Sequence, residues 1–427
     1  MRAEGPMRQR GRLFITCDAA AVLIIVLMWC RAVGSPIVLS VTAEKSFVPI
    51  GEELIQTPAA RLTSQLFFLL VVGISVGVIV FRINDVTRPG LWRILLVLAP
   101  WLWLFTQDVY SGSTTPDSLL YVTVVLALAA LRPHPRVLIA LGALVVLTAV
   151  IAIGFGFLLP DAGLLRDVEG VVRERSDKAV FPSLGLLQGM FTSENNLGQY
   201  LAIGAATVAM LPRWWRFSGL GIVVFGIVWS SSRSSMLAVA VMLVVGLAVR
   251  IIAELGWSRA ASAVARVATG LSILAMCALP FMGWDDDAFT ERGLIWNGSL
   301  REWSSRAFVS GLGHDWYERI AGSDTSPLNA AAYQGHNQFV HFLATGGLVL
   351  AFLAIGSLLV QTYVITAPDN RYLVIAAMLV TGIAIAGFLE VPLGFVDRSM
   401  FWTVTIVPLT VLFFTRASDT RRERALR

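Results

Sequence analysis

The chain has 427 residues, of which 56% are hydrophobic and only 14% charged, with a formal net charge of +5. Soluble domains carry about 25% charged residues, and a water-exposed fold of this composition would show large apolar patches and aggregate. Charge is confined to short stretches between long apolar runs, which excludes a soluble enzyme and points to an all-α, polytopic membrane bundle.

The N-terminal segment MRAEGPMRQRGR is basic and is followed by an apolar run from Leu13 to about Val33. That run exceeds the roughly 7–15 residues of a signal-peptide core, so it reads as a retained first membrane helix. Further apolar runs fall at 64–81, 91–107, 118–131, 137–158, 197–212, 217–231, 235–253, 263–283, 337–364, 371–389 and 399–415. About 12 transmembrane helices put both termini on one side. The N-terminus, the tail RASDTRRERALR and the loops holding Arg88, Arg132, Arg213, Arg259 and Arg371 carry most of the basic residues and few acids. By the positive-inside rule that side is cytoplasmic, as expected for a multi-pass protein of a bacterial inner membrane. The long loops 34–63, 159–196 and 284–336 then lie outside. Long loops in compact chains are commonly functional, so residues 1–427 read as one membrane domain with 284–336 as its helical outer lid.

Chemistry is expected on that outer side. Asp18 and His341 are the ionisable residues found inside the apolar spans, too few for an ion-coupled transporter. Cys17, Cys30 and Cys277 lie in apolar runs without a CxxC spacing, so neither disulfides nor a thiolate metal site is expected. The basic residues follow membrane topology, which argues against nucleic acid. Arg233 stands in VWSSSRSSML, on a short outer loop, while Arg292, Arg301 and Arg306 lie in AFTERGLIWNGSLREWSSRAFVSGLGHDWY. There Leu294, Ile295, Leu300, Trp303 and Phe308 approach a helical period, suggesting an amphipathic helix on the membrane surface. Planar guanidinium groups bind phosphate oxygens in pairs, and several together suit a diphosphate.

Of four histidines, His134 reads as a loop residue, His314 as a turn residue, and His341 as packed against a neighbouring helix. His336 directly follows Gly335 at the outer start of a span, where the helix dipole and nearby arginines disfavour imidazolium. A neutral imidazole there is a candidate general base. The run Asp285, Asp286, Asp287 reads as a solvated acidic stretch and not a metal site, and Glu194, Asn195 and Asn196 read as a helix start.

Four blocks together resemble the O-antigen ligase and Wzy-type polysaccharide polymerase superfamily: FTSENNLGQYLAI, SSSRSSMLAVAV, ERGLIWNGSLREWSSRAFVSGLGHDWY and GHNQFVHFLATGGLVLAFL. The resemblance covers about 190–360 and implies a GT-C-like membrane glycosyltransferase using neither metal nor other cofactor. It implies an undecaprenyl-diphosphate-linked oligosaccharide as donor and a glycan, lipid or protein hydroxyl as acceptor. Carried onto this chain, Arg233 and Arg292, helped by Arg301 and Arg306, would bind the diphosphate. His336 would activate the acceptor, and Asn337 and Asn196 would support the site. Acidic Glu194 departs from the family pattern. Polymerisation is preferred, since SSSRSSMLAVAV looks more like the exopolysaccharide polymerases; ligation onto lipid A-core or protein is the alternative, and a solute or inorganic-carbon transporter is the alternative of another class.

Overall fold

The computed structural model describes residues 6–43, 56–86, 90–165, 178–321, 328 and 332–415. It is 77% helix, and among the described residues there is no strand, only an isolated bridge between Leu164 and Leu187. The principal helices are α1 (Pro6–Trp29), α2 (Pro58–Phe81), α3 (Leu91–Ser111), α4 (Pro116–Leu131), α5 (Leu138–Leu158), α6 (Glu194–Val208) and α7 (Arg213–Ser230). They continue as α8 (Arg233–Glu254), α9 (Ser258–Ala278), α10 (Ala288–Arg306), α11 (Gln338–Ile365), α12 (Leu373–Ala386) and α13 (Ile406–Phe414).

Local sequence marks these starts and stops. Pro58 and Pro116 open α2 and α4, where a missing N–H costs nothing. Ser193 caps α6 by accepting from the Asn196 backbone, and Asn337 caps α11 by accepting from Phe339 and Val340. Gly112, at φ +74°, ends α3 in the left-handed conformation.

Helices within a bilayer gain little from hydrophobic exclusion and associate through close packing of small residues. The α8–α12 contact is built this way: a Cβ on Gly246 would meet Met378 at 2.6 Å, and one on Gly382 would meet Met242 at 3.1 Å. Likewise Gly198 of α6 lies against Ser230, Ser232 and Ser235, so the Asn-Leu-Gly and Ser-Arg blocks touch. α12 and α13 are almost wholly buried at the centre, whereas Leu66, Leu69, Val244, Leu271, Leu274 and Phe352 point outward. Such outward apolar faces suit hydrocarbon, and exposed Trp92, Trp214, Trp215 and Trp257 sit at helix ends beside the basic loops, as interfacial aromatics do.

The chain is thus a multi-pass helical membrane protein. Seven helical stretches are long and apolar enough to cross a membrane: Cys17–Thr42, Pro58–Phe81, Leu91–Ser111, Pro135–Leu158, Arg233–Glu254, Ser258–Phe281 and Gln338–Ile365. Each of the other five expected spans also contains a helix, but a shorter or less apolar one; α4 and α12 are apolar helices of 10–17 residues. Parts of the three outer loops and the C-terminal tail lie outside the described residues.

One irregularity positions the loop that packs on α11. α11 breaks at Gly347, whose φ is +68°. The turn at 308–313 fills the gap: Leu312 and Gly313 donate to Ala344 and Thr345, while Leu348 and Val349 donate to Phe308 and Val309. Trp103 of α3 donates to the Gly346 carbonyl at 2.8 Å. Broken backbone within a membrane bundle survives only where protein satisfies it, and here the stretches 308–313 and 344–349 satisfy each other.

Candidate active site

The start of α11 is tied down from several sides. The Asn337 amide donates to the carbonyls of Met276 and Phe388, each at 3.0 Å, and the Gln338 side chain exchanges hydrogen bonds with the Leu393 backbone. The chain enters through Gly335, where a Cβ would lie 2.8 Å from the His341 nitrogen, and through His336 at φ +45°. A non-glycine residue held there signals backbone strain, which gathers at functional sites. Trp296 of α10 donates to the His336 carbonyl at 3.3 Å, so α10 closes over this turn.

Glu390, just beyond α12, sits under the same turn and is 1% exposed. Its Oε1 accepts from Arg292 Nη2 at 2.5 Å, and its Oε2 accepts from Gln334 Nε2 at 3.0 Å. His336 Nδ1 stands 3.7 Å from Oε2, too far for a hydrogen bond and near enough to form one after a small movement. Burial, then the fields of Arg292, Arg398 and His341, push His336 down to about 3. The imidazole is therefore neutral throughout the physiological range.

A second set of paired groups adjoins the first. His341 Nε2 meets Asp397 Oδ2 at 2.9 Å and its ring stacks on Tyr317, whose hydroxyl donates to Ser299 of α10. Burial opposes the Asp397 charge, but His341, Arg398 and His314 outweigh it and hold the carboxyl low. His314 Nδ1 meets Asp108 Oδ1 of α3 at 2.5 Å; burial disfavours its charge, yet Asp108, Asp397 and Asp315 raise it overall.

Of the residues expected from sequence, Arg292, His336 and Asn337 come together. Asn337 serves as the cap that fixes the turn. Asn196 lies in the first turn of α6 and accepts from Arg398 at 3.3 Å. Arg233 opens α8 on an exposed position directly after the serines that pack on Gly198. Arg301 and Arg306 lie on the exposed face of α10, and Arg306 pairs with Glu302 at 3.1 Å. The regular part of α10 does present an apolar face, with Ile295, Trp296 and Trp303 buried, but Phe308 lies beyond its end and is exposed.

Two histidine readings need extending. His314 lies in a turn as expected but is also half of a buried pair with Asp108, and His341 is held by Asp397 and Tyr317 beyond simple helix packing. His134 accepts from the Arg136 backbone in a tight turn whose own N–H is held by Asp18, so Asp18 is a backbone anchor. Asp286 accepts from Asn297 and shapes the entry to α10; among the described residues no group of three or more His, Cys, Asp or Glu converges as a metal site. Glu390, Gln334, Asp397 and Arg398 were not singled out from sequence. The available signal was an acid in the otherwise apolar GFLEVPLG, since ionisable groups at membrane edges need a reason.

No curated protein gives a significant match to the chain. A family model described as O-antigen ligase (Wzy_C) matches residues 218–355. That segment runs from α7 into α11 and contains Arg233, Arg292, Arg301, Arg306, His336 and Asn337. This segment, which holds the turn, its histidine and the arginine clamped to Glu390, is thus the part of the chain that is similar to the O-antigen ligase family.

Proposed function

We propose that the chain transfers a glycan from an undecaprenyl-diphosphate-linked donor to an acceptor hydroxyl on the outer face of a bacterial inner membrane. The carrying observation is His336 in a strained turn at the mouth of α11, 3.7 Å from the Glu390 carboxylate that Arg292 also holds, inside the family-matched segment. In the reaction the acceptor O–H gives its proton to His336 as the oxygen bonds to the anomeric carbon. The bond from that carbon to the diphosphate breaks, and the diphosphate leaves with the electron pair. Arg292 stabilises the leaving charge, with Arg233, Arg301 and Arg306 as further candidates for the same anion. Glu390 faces Nδ1 and stabilises the imidazolium that forms, as an acid behind a catalytic histidine does.

A conjugate acid near 3 describes a base kept neutral but weak. The arriving diphosphate offsets the fields of the neighbouring cations, so the donor itself raises the basicity of His336. Activation of the acceptor is thereby coupled to occupancy of the donor site. The outer helix α10 and the 307–313 insertion form the lid over this chemistry. Twelve crossings with both termini cytoplasmic, and independence from metal, complete the reading.

The matching family's description, O-antigen ligase, sets ligation beside the polymerisation expected from the sequence. The test is to mix purified protein with lipid-linked oligosaccharide, with and without a lipid or protein acceptor and with EDTA. EDTA-resistant transfer abolished in His336→Ala supports the reading. Growth of the donor glycan without added acceptor makes the enzyme a polymerase, and absence of turnover with every acceptor refutes glycosyl transfer.

A further inference from the structure

Two guanidinium groups bear on His336, and they are differently engaged. Arg292 gives Nη2 to a carboxylate, Glu390. Arg398 has neutral hydrogen-bond partners: Nε donates to the Val391 carbonyl and Nη2 to the Asn196 side-chain oxygen, each at 3.3 Å. Both contacts lie just past the usual range for N–H···O bonds, so a stronger acceptor can displace them. Val391 directly follows Glu390, whose Oε2 is 3.7 Å from His336, so this guanidinium is next to the reactive turn.

The position is also built. The Arg398 guanidinium lies over the Phe401 ring, 4.9 Å from its centroid, which fixes its plane. Its backbone is left-handed, at φ +54°, a conformation that glycine adopts freely and arginine does not. The neighbouring carboxylate, Asp397, is hydrogen-bonded to His341, so Asp397 and Glu390 act on Arg398 through their charge without occupying its N–H groups. On the far side, Glu194 would repel an anion, but Lys178 pairs with it, and Asn196 is the residue of that turn presented to Arg398.

We propose that Arg398, oriented by Asn196 and Phe401, is a ligand of the donor diphosphate. The 387–398 stretch, outside the family-matched segment, then completes the anion site that Arg292 begins. This rests on the lipid-linked diphosphate donor proposed above.

The test measures binding without turnover. Full-length protein in nanodiscs is titrated with undecaprenyl diphosphate and, separately, phosphatidylglycerol, and bound lipid is counted by native mass spectrometry. Arg398→Gly removes the guanidinium and relieves the left-handed backbone. Asn196→Asp keeps the guanidinium but occupies it with a carboxylate, and so keeps the proposal testable should the first variant unfold. Losing one charged hydrogen-bond donor weakens diphosphate binding by about ten- to a hundredfold. That loss is expected in Arg398→Gly, a similar direction in Asn196→Asp, partial recovery in Arg398→Lys, and unchanged phosphatidylglycerol binding throughout. Undiminished diphosphate binding in folded Arg398→Gly overturns the proposal, and so does an equal loss for both lipids. A wild-type protein that binds no undecaprenyl diphosphate overturns the donor assignment itself.

Discussion

Glu390→Gln keeps the shape of the side chain and removes its charge. The carboxylate accepts at both ends, from Arg292 Nη2 at 2.5 Å and from Gln334 Nε2 at 3.0 Å, at a site 1% exposed. Removing one partner of a buried ion pair typically costs about 3–5 kcal/mol, and that is the expectation for Glu390→Ala. The amide does better. Its oxygen can keep Arg292, and its nitrogen then faces Gln334, whose own Oε1 has no partner at present and can turn to accept. What is lost is the charge in one hydrogen bond, so about 1–2 kcal/mol of stability is expected to go. Catalysis should suffer more, because nothing then balances an imidazolium at His336; a loss of about a hundredfold in kcat corresponds to about 2.7 kcal/mol of transition-state stabilisation. Thermal unfolding of the purified variant and single-turnover transfer from lipid-linked oligosaccharide separate the two effects. A folded Glu390→Gln enzyme with kcat within threefold of wild type would falsify the pairing of Glu390 with His336 in the mechanism.

The depressed His336 has a thermodynamic signature. Because its folded value lies near 3 and the unfolded value near 6.5, the unfolded chain binds more protons below pH 6.5, and lowering the pH from 7 to 5 costs about 2 kcal/mol of stability from this group. His336→Asn, which tolerates the left-handed backbone, removes that contribution, so its unfolding temperature should fall less than wild type between pH 7 and 5; an identical fall contradicts the assignment. Gly347→Ala places a Cβ 2.2 Å from the Val309 carbonyl at φ +68° and should destabilise by about 2–4 kcal/mol, read as a lowered unfolding temperature together with lost transfer. Arg306→Ala removes a 70% exposed partner of Glu302 and should leave stability within about 0.5 kcal/mol. A raised KM for donor in Arg306→Ala or Arg301→Ala therefore reads directly as a diphosphate contact, and an unchanged KM removes both from the donor site.

Membrane character and the neutral histidine at a helix mouth were legible because both depend on short-range pattern: runs of apolar residues, and a Gly-His-Asn start with a capping side chain. The lengths of α6 and α13 were less so, since helices that bury most of their faces against protein need neither 20 apolar residues nor a clean stop. Pairings across the chain were not legible at all. His314 reads as a turn residue, but not as the partner of Asp108, 206 positions away, which is brought beside it by the break in α11. That break in turn depends on two glycine pairs meeting backbone to backbone, which no periodicity encodes. Arg292 shows the same limit most sharply. A guanidinium matches carboxylate and phosphate equally well, and sequence order decides neither. The fold sets Glu390 against it, so in this site one arginine is held by an internal acid while another, eight residues beyond that acid, keeps neutral partners. An anion entering here meets a cation hydrogen-bonded to Glu390 and one whose hydrogen bonds go to amide and carbonyl oxygens, with Glu390 and Asp397 acting on it through their charge alone, and the second is the easier to recruit.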